Sequence, residues 1–282
     1  MVDIAIVVVL YNKKIDESKT LQSLIEHNLS SVSIKIINNG PEIIEMDGDV
    51  WNQLNDRASE VLFENRIENA PLSKLYNQFI SSINSDYYII LDDDSDLSEF
   101  LIENLVDCEI DLIIPKIYSL DDCKFYYPCQ DGVLIETGDN ISISRVMSIS
   151  SGLTISNKLI QLFNLHYGKV FDERFALYGI DTSFFLRLHE LSRSEIISVD
   201  CKFTLLHSLS RTQNEISRSR TIERIYDTAL TARHYPKFLG KIEFMKILCY
   251  YVGKFKFYYA YKLLHCYISG IHPRALKINK RK

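Results

Sequence analysis

The sequence predicts an α/β fold: a Rossmann-like, mostly parallel central sheet flanked by helices, followed by a basic, aromatic helical extension. Three observations carry this. Short β-branched runs alternate with amphipathic segments from Ile4 onward, which is the order of a doubly wound parallel sheet. One such run, Tyr87-Tyr88-Ile89-Ile90-Leu91, ends in Asp92-Asp93-Asp94-Ser95-Asp96, placing four carboxylates where ligands bind open α/β sheets. The charge is also split along the chain. Arg233 to Lys282 holds 12 Lys/Arg against Glu243 alone, while the remainder carries 20 basic and 36 acidic residues.

At 282 residues, with 46% hydrophobic and 24% charged, the chain suits one large α/β domain with an appendage. Six cysteines, at 108, 123, 129, 201, 249 and 266, form no CxxC pair. That argues against a disulfide scaffold or zinc knuckle and for a reduced, cytoplasmic setting. The apolar start Ile4 to Leu10 lacks a basic leader, with Asp3 in its place, and reads as a first strand rather than a signal peptide.

Taken in order, Val7 to Asn12 is a buried strand running into a polar turn. Ile15 to Asn28 is an amphipathic helix with Leu21, Leu24 and Ile25 at helical spacing. Ser33 to Ile37 is a strand closed by Asn38-Asn39-Gly40-Pro41, and Val61 to Phe63 is a short third strand. Pro71 opens a helix near Asn69 to Asn77 that leads to the acidic strand. The Gly-rich phosphate loops of the Rossmann and P-loop types are both missing, so a bound diphosphate must be met by a metal and side chains.

The acids at 92–96 admit two readings. They hold a divalent cation, or they form a solvated turn in which Ser95 or Asp96 caps a helix over Leu97 to Val106. A strand at Asp111 to Pro115 follows, then an irregular, strand-rich region from Ile117 to Met147. Ser148 to Ser156 reads as a strand broken by Gly152, either a bulge or backbone lying near a ligand. After Gly179, a helix starts with Asp181 in its first turn, as cap or as base, and buries Phe184, Phe185 and Leu188. Two strands between Ile197 and Leu206 end in His207-Ser208, where the imidazole is either a metal ligand or a buried core histidine.

Together these stretches resemble glycosyltransferase family 2, inverting enzymes of GT-A fold, and within it the rhamnosyl- and galactosyltransferase-like branch of bacterial surface polysaccharide synthesis. Val8 to Asn12 is similar to the family's opening strand, Ile37 to Gly40 to its Val-Asp-Asn-Gly turn, and Asn69 to Asn77 to its Asn-x-Gly helix start. Leu91 to Ser95 resembles the Asp-x-Asp-Ser motif, and Ser151-Gly152 the acceptor-side Ser-Gly. Phe171-Asp172-Glu173 through Gly179-Ile180-Asp181 to Leu186-Arg187-Leu188 resembles the block bearing the base, and His207-Ser208 the closing histidine.

The resemblance implies Asp92, Asp94 and His207 on Mn²⁺ or Mg²⁺, and Asp181 as general base. It implies Tyr11, Asn12, Asn38, Asn39, Lys74, Asn77, Asp92 and Asp93 on a UDP- or dTDP-sugar, and Gly152, Tyr178 and Arg187 on donor sugar or acceptor. The acceptor it implies is a lipid-linked glycan of O-antigen or capsule. Residues 1–210 would form the catalytic domain, with 1–96 the nucleotide half and 97–210 the acceptor half, and 211–282 the extension. Asn38 replaces an acid that meets the base, and Ile180 replaces an acid before Asp181. With Trp51 the single tryptophan, the Gln-x-x-Arg-Trp motif of processive relatives is missing.

Arg211, Arg218, Arg220 and Arg224 follow His207 and either fold over a diphosphate or stand exposed. From Tyr235 to Tyr267 aromatics alternate with lysines too densely charged for a membrane span. An interfacial segment on anionic lipid at the inner face of the plasma membrane fits, as does a helix pair packed on the domain. No nucleic-acid-binding motif is present. Two other functions remain open at this stage: a sugar nucleotidyltransferase, which would need a Gly-rich basic loop near Leu10, and a non-catalytic binding or assembly subunit.

Overall fold

The computed structural model describes residues 2–100, 102, 109–136, 141–208 and 217–279. In chain order these hold β1 (Ile4–Leu10), a 3-10 turn (Ile15–Glu17), α1 (Lys19–Leu24), β2 (Val32–Asn38), α2 (Asp49–Arg57), β3 (Glu60–Asn65), α3 (Leu72–Ser82) and β4 (Tyr87–Asp92). Short strands follow: β5 (Ser95–Asp96), β6 (Leu112–Ile113), β7 (Lys116–Ser119), β8 (Lys124–Tyr127), β9 (Cys129–Gln130), β10 (Val133–Leu134), β11 (Val146–Met147) and β12 (Thr154–Ser156). Then come α4 (Asn157–Tyr167), α5 (Ile180–Leu191), β13 (Val199–Asp200), β14 (Thr204–His207), α6 (Arg218–His234), α7 (Lys241–Gly253), α8 (Phe257–Ser269) and α9 (Pro273–Asn279).

The chain divides into two compact units. Unit 1 comprises residues 1–69, 76–170 and 188–212, and unit 2 comprises 70–75, 171–187 and 213–282. Unit 1 carries a seven-stranded sheet of order β13-β6-β12-β4-β1-β2-β3. β1, β2, β3 and β4 run parallel, whereas β12 is antiparallel to both β4 and β6. All seven residues of β1 are buried, which its Val/Ile run requires of a central strand covered on both faces. Burial of each such side chain is worth about 1.5–3 kcal/mol. Ile6, Val8, Ile34, Ile36, Ile89 and Leu91 join Leu21, Leu24, Leu54 and Phe100 in one core. The parallel register pairs Leu10 with Asn38, Val9 with Asp92 and Asn38 with Asn65, so the loops after these strands emerge along one edge.

Several elements differ from the sequence expectation. The helix expected over 15–28 is cut to α1, because Ser18 accepts the Leu21 N–H and starts the helix late. The helix α2 is unannounced in a polar stretch. Its amino end follows Gly48 and is met by Asp16, whose Oδ1 accepts the Val50 N–H at 3.1 Å from outside the segment. Trp51 of α2 then packs edge-on against Phe63, ring centroids 6.1 Å apart.

Leu97 to Phe100 is a turn rather than the start of a helix, and residues 101 and 103–108 lie outside the described residues. Ser95 and Asp96 pair with His207 and Leu206 of β14, and Asp96 accepts the Ser98 N–H instead of capping a helix. The strand expected over 148–156 is reduced to β12. Gly152 stands at φ +82°, and a Cβ there would lie 2.5 Å from Pro115 Cγ, so packing against Pro115 and Leu205 dictates the glycine.

In unit 2, Phe171 stacks on Phe184, which meets Phe185 edge-on; all three are fully buried. α6 contributes Ile225, Ala229 and Leu230 to the interior, α7 Phe244, and α8 Ala260, Leu263 and Cys266. The backbone N–H of Leu72 and the hydroxyl of Ser73 donate to the carbonyls of Ala176 and Phe175, fixing the loop before α5. Among the described residues no helix is long and apolar enough to cross a membrane.

Candidate active site

At the carboxyl edge of the parallel strands in unit 1, Asp92, Asp94 and His207 each offer one ligand atom, and these atoms lie within 4.8 Å of one another. β4 delivers Asp92 as its last residue, the next turn brings Asp94 round, and β14 presents His207 at its end through its pairing with β5. His207 is 6% exposed; its Nδ1 lies 3.0 Å from Ser95 Oγ and 3.1 Å from Asp94 Oδ1, and its Nε2 3.8 Å from Asp92 Oδ2.

The turn is fixed by hydroxyls. Thr20 Oγ1 donates to the Asp92 carbonyl at 2.5 Å and accepts the Ser95 N–H at 2.9 Å, while Ser151 Oγ accepts the Asp92 N–H at 3.2 Å. The two carboxylates therefore sit on a backbone with little freedom to splay. Burial works against the Asp94 anion, yet His207 and Lys13 hold it below the usual carboxylate range. Asp94 Oδ1 is itself buried and, despite the ion-pair contact, makes no hydrogen bond of proper geometry among the described residues. A buried anionic oxygen of this kind calls for a cation. Two carboxylate oxygens and an imidazole suit Mn²⁺ or Mg²⁺.

The other expected residues of unit 1 take differing roles. Asp93 is committed locally: Oδ1 accepts from Lys13 Nζ at 2.6 Å and Oδ2 from the Tyr11 N–H at 3.0 Å. Asn12 adopts φ 55° and donates its N–H to the Gly40 carbonyl, and the Asn39 N–H donates to Leu10, so the first two loops are tied together. The Asn38 amide, 1% exposed, donates to the Glu42 carbonyl and Asn65 Oδ1 at 2.6 Å each, and its Oδ1 accepts the Gly40 N–H. Its side chain thus shapes the loop. Tyr11 is half exposed, and Asn77 lies buried on α3.

Unit 2 holds the remaining expected residues. Lys74 lies in the first turn of α3. Asp181 is the second residue of α5, half-buried, behind the fully buried Ile180. The Tyr178 ring lies under the Arg224 guanidinium at 5.5 Å. Arg187 points to Asp172, with Nη2 3.3 Å from Oδ2, and its Nε donates to the Tyr235 hydroxyl at 3.2 Å. Asp172, which the sequence places in the Phe-Asp-Glu stretch without a role of its own, is a hub. It is 2% exposed, clamped by Arg174 through both oxygens, and accepts the Tyr235 O–H at 2.7 Å. Burial opposes its charge, but Arg174 and Arg187 pull it below the usual range. Thr20 was unmarked, and the only signal for it is its place beside the acids in space; Ser95 was marked as a candidate cap and as the serine of the acidic motif, and it meets His207 instead. Arg211 lies outside the described residues.

Over 147 residues, half of the chain, the sequence is 23% identical to the glycosyltransferase GlyA of Streptococcus pneumoniae serotype 4 (strain ATCC BAA-334 / TIGR4). The matched region spans 21% of that relative, so the chain corresponds to about a fifth of its length. The crystal structure of S. aureus TarS 1-349 superposes with a TM-score of 0.53 at 11% identity, covering 99% of this chain and 92% of that one. A second S. aureus TarS structure gives 0.52 at 9% identity, over 82% of this chain and 44% of that one. No protein-family profile matches. The chain is thus similar in sequence to a glycosyltransferase over half its length, and it shares the mixed α/β fold of TarS with a mostly parallel central sheet.

Proposed function

We propose that this chain is an inverting, metal-dependent, non-processive hexosyltransferase of the GT-A family 2 type. It would move galactose, rhamnose or a similar sugar from a UDP- or dTDP-linked donor to a lipid-linked glycan. The convergence of Asp92, Asp94 and His207 at the carboxyl edge of the sheet carries the proposal. Asp92, Asp94 and His207 would hold a divalent cation, which would supply Lewis-acid neutralisation of the departing diphosphate. Asp181 takes the proton of the acceptor hydroxyl as its oxygen attacks the anomeric carbon; the bond from that carbon to the diphosphate oxygen breaks with its electron pair, and configuration inverts. Tyr11, Asn12 and Asn39 border the edge where the nucleotide binds.

The α7–α8 pair supports membrane attachment within the same reading. Phe255 is 81% exposed, and Phe257, Tyr258, Tyr261, Leu264 and Ile268 are also exposed. Lys254, Lys256 and Lys262 are interspersed with them. Aromatic rings and lysines together suit an anionic lipid surface at the inner face of the plasma membrane.

A thermal-shift panel of nucleotide sugars with Mn²⁺ tests the reading. UDP- or dTDP-sugars are expected to raise Tm only with the metal, and Asp94→Ala is expected to abolish the shift. Asp181→Asn should retain the shift and lose about 10²- to 10⁴-fold in turnover. Metal-dependent donor binding with no hydrolysis or transfer to any acceptor would instead favour a binding or assembly subunit, a reading that the structural engagement of Asn38 and the apolar Ile180 encourage.

A further inference from the structure

Ile180, directly before Asp181, is buried and uncharged. A carboxylate reaches this neighbourhood from elsewhere, because α6 turns Asp227 toward the amino end of α5. Asp227 Oδ1 accepts the Thr231 hydroxyl at 3.0 Å. A Cβ built on Gly179 would fall 2.3 Å from that same oxygen, so the acid occupies the space a side chain at 179 would need. Gly179 also stands at φ +82°, where glycine is favoured. The Asp227 and Asp181 carboxylates lie within each other's field.

We propose that Asp227 is the positioning and charge partner of Asp181, an acid supplied across the fold that strengthens the base of the transfer reaction. This rests on Asp181 being that base. Burial, and then the charge of Asp181, push Asp227 up to about 6, while Thr231 and Arg224 oppose that rise. The groups facing Asp227 are therefore Asp181 and Gly179 at the start of α5, and Arg224 and Thr231 on α6, with Arg224 also over the Tyr178 ring. Near neutral pH Asp227 is mostly ionised. A fixed negative charge beside Asp181 makes proton capture from the acceptor hydroxyl more favourable, and the two acids titrate as a coupled pair.

The test pairs a pH-rate profile with a titration that needs no turnover. With UDP- or dTDP-sugar and Mn²⁺, Asp227→Asn is expected to move the acidic limb of kcat down by about one pH unit. It is also expected to slow the neutral-pH rate roughly three- to thirtyfold, with KM for the donor unchanged. Asp227→Glu should restore part of the limb. In the full chain carrying ¹³C-labelled aspartate, the Asp227 carboxyl should titrate near 6 and fall toward the ordinary range in Asp181→Asn. A wild-type limb in Asp227→Asn overturns the pairing while leaving the transferase reading intact, as does an Asp227 titration indifferent to Asp181→Asn. Coupled titration in a chain that turns over no nucleotide sugar upholds the pairing and sinks the transferase reading instead. Should Asp227→Asn fail to fold, the titration in wild type and Asp181→Asn decides alone.

Discussion

In unit 1, Asp92 and Asp94 converge on one imidazole, and a buried oxygen of the part-exposed Asp94 makes no hydrogen bond among the described residues, whereas in unit 2 the more deeply buried Asp172 is met by Arg174, Arg187 and Tyr235. Both arrangements hold an acid below its ordinary range. The first does so with His207 and with Lys13, whose ammonium is itself bonded to Asp93. The second does so with two permanent cations. An acid whose counter-charge is built into the chain serves structure; one whose counter-charge must come from solution can serve binding.

Removing each acid should therefore have opposite signatures. The largest effect expected is on activity. Asp94→Ala should lower metal-dependent turnover by about 10³-fold, the several kcal/mol a Lewis acid supplies, with the urea midpoint little changed. Equal destabilisation in Asp94→Ala and Asp172→Asn would erase the distinction drawn here.

Asp172→Asn leaves the buried Arg187 and the part-exposed Arg174 with a neutral partner, which should cost about 2–4 kcal/mol in urea unfolding once the exposure of Arg174 is discounted. The pH dependence follows in sign. A carboxyl lowered in the folded state stabilises above its unfolded pKa of about 4 and loses that contribution as pH falls through the folded value. Acid unfolding below about pH 4 should accordingly be shallower in Asp172→Asn, as followed by far-UV circular dichroism.

Asp227 is the intermediate case, its folded pKa raised to about 6. Here the folded state binds the proton more tightly, so stability is full below the unfolded value of about 4 and declines as pH rises toward 6. Asp227→Asn should remove that decline and gain about 1–2 kcal/mol at pH 7, discounted for partial exposure. A variant more stable yet slower would mark strain kept for activity.

The smallest effect concerns the tail. Reversing Lys254 and Lys256 to glutamate should weaken binding to phosphatidylserine vesicles by about 1 kcal/mol per charge, in a salt-dependent manner, without altering transfer to a soluble acceptor. No binding to such vesicles at low salt would instead assign the exposed aromatics to a protein partner.

The parallel strands and the acid pair were legible because their signals are contiguous. The Val/Ile run of β1 has one solution in an α/β layer, and Asp92 and Asp94 are two residues apart at a strand's end. His207 was legible through the motif order. The amino end of α2 was not, since its acceptor, Asp16, lies 34 residues away. The role of Asn38 escaped for a similar reason: Asn65, on a neighbouring strand, sets its orientation. Asp227 carries no local signature, and only α6 packing beside Gly179 brings it to Asp181.

The bare Cα at position 179 has an evolutionary corollary. A methyl group there would fall 2.3 Å from the oxygen of Asp227 and 2.5 Å from Phe175, so an acid seated at 227 as it is here requires glycine at 179. Among chains descended from a common ancestor, those that keep an acid at 227 should keep glycine at 179.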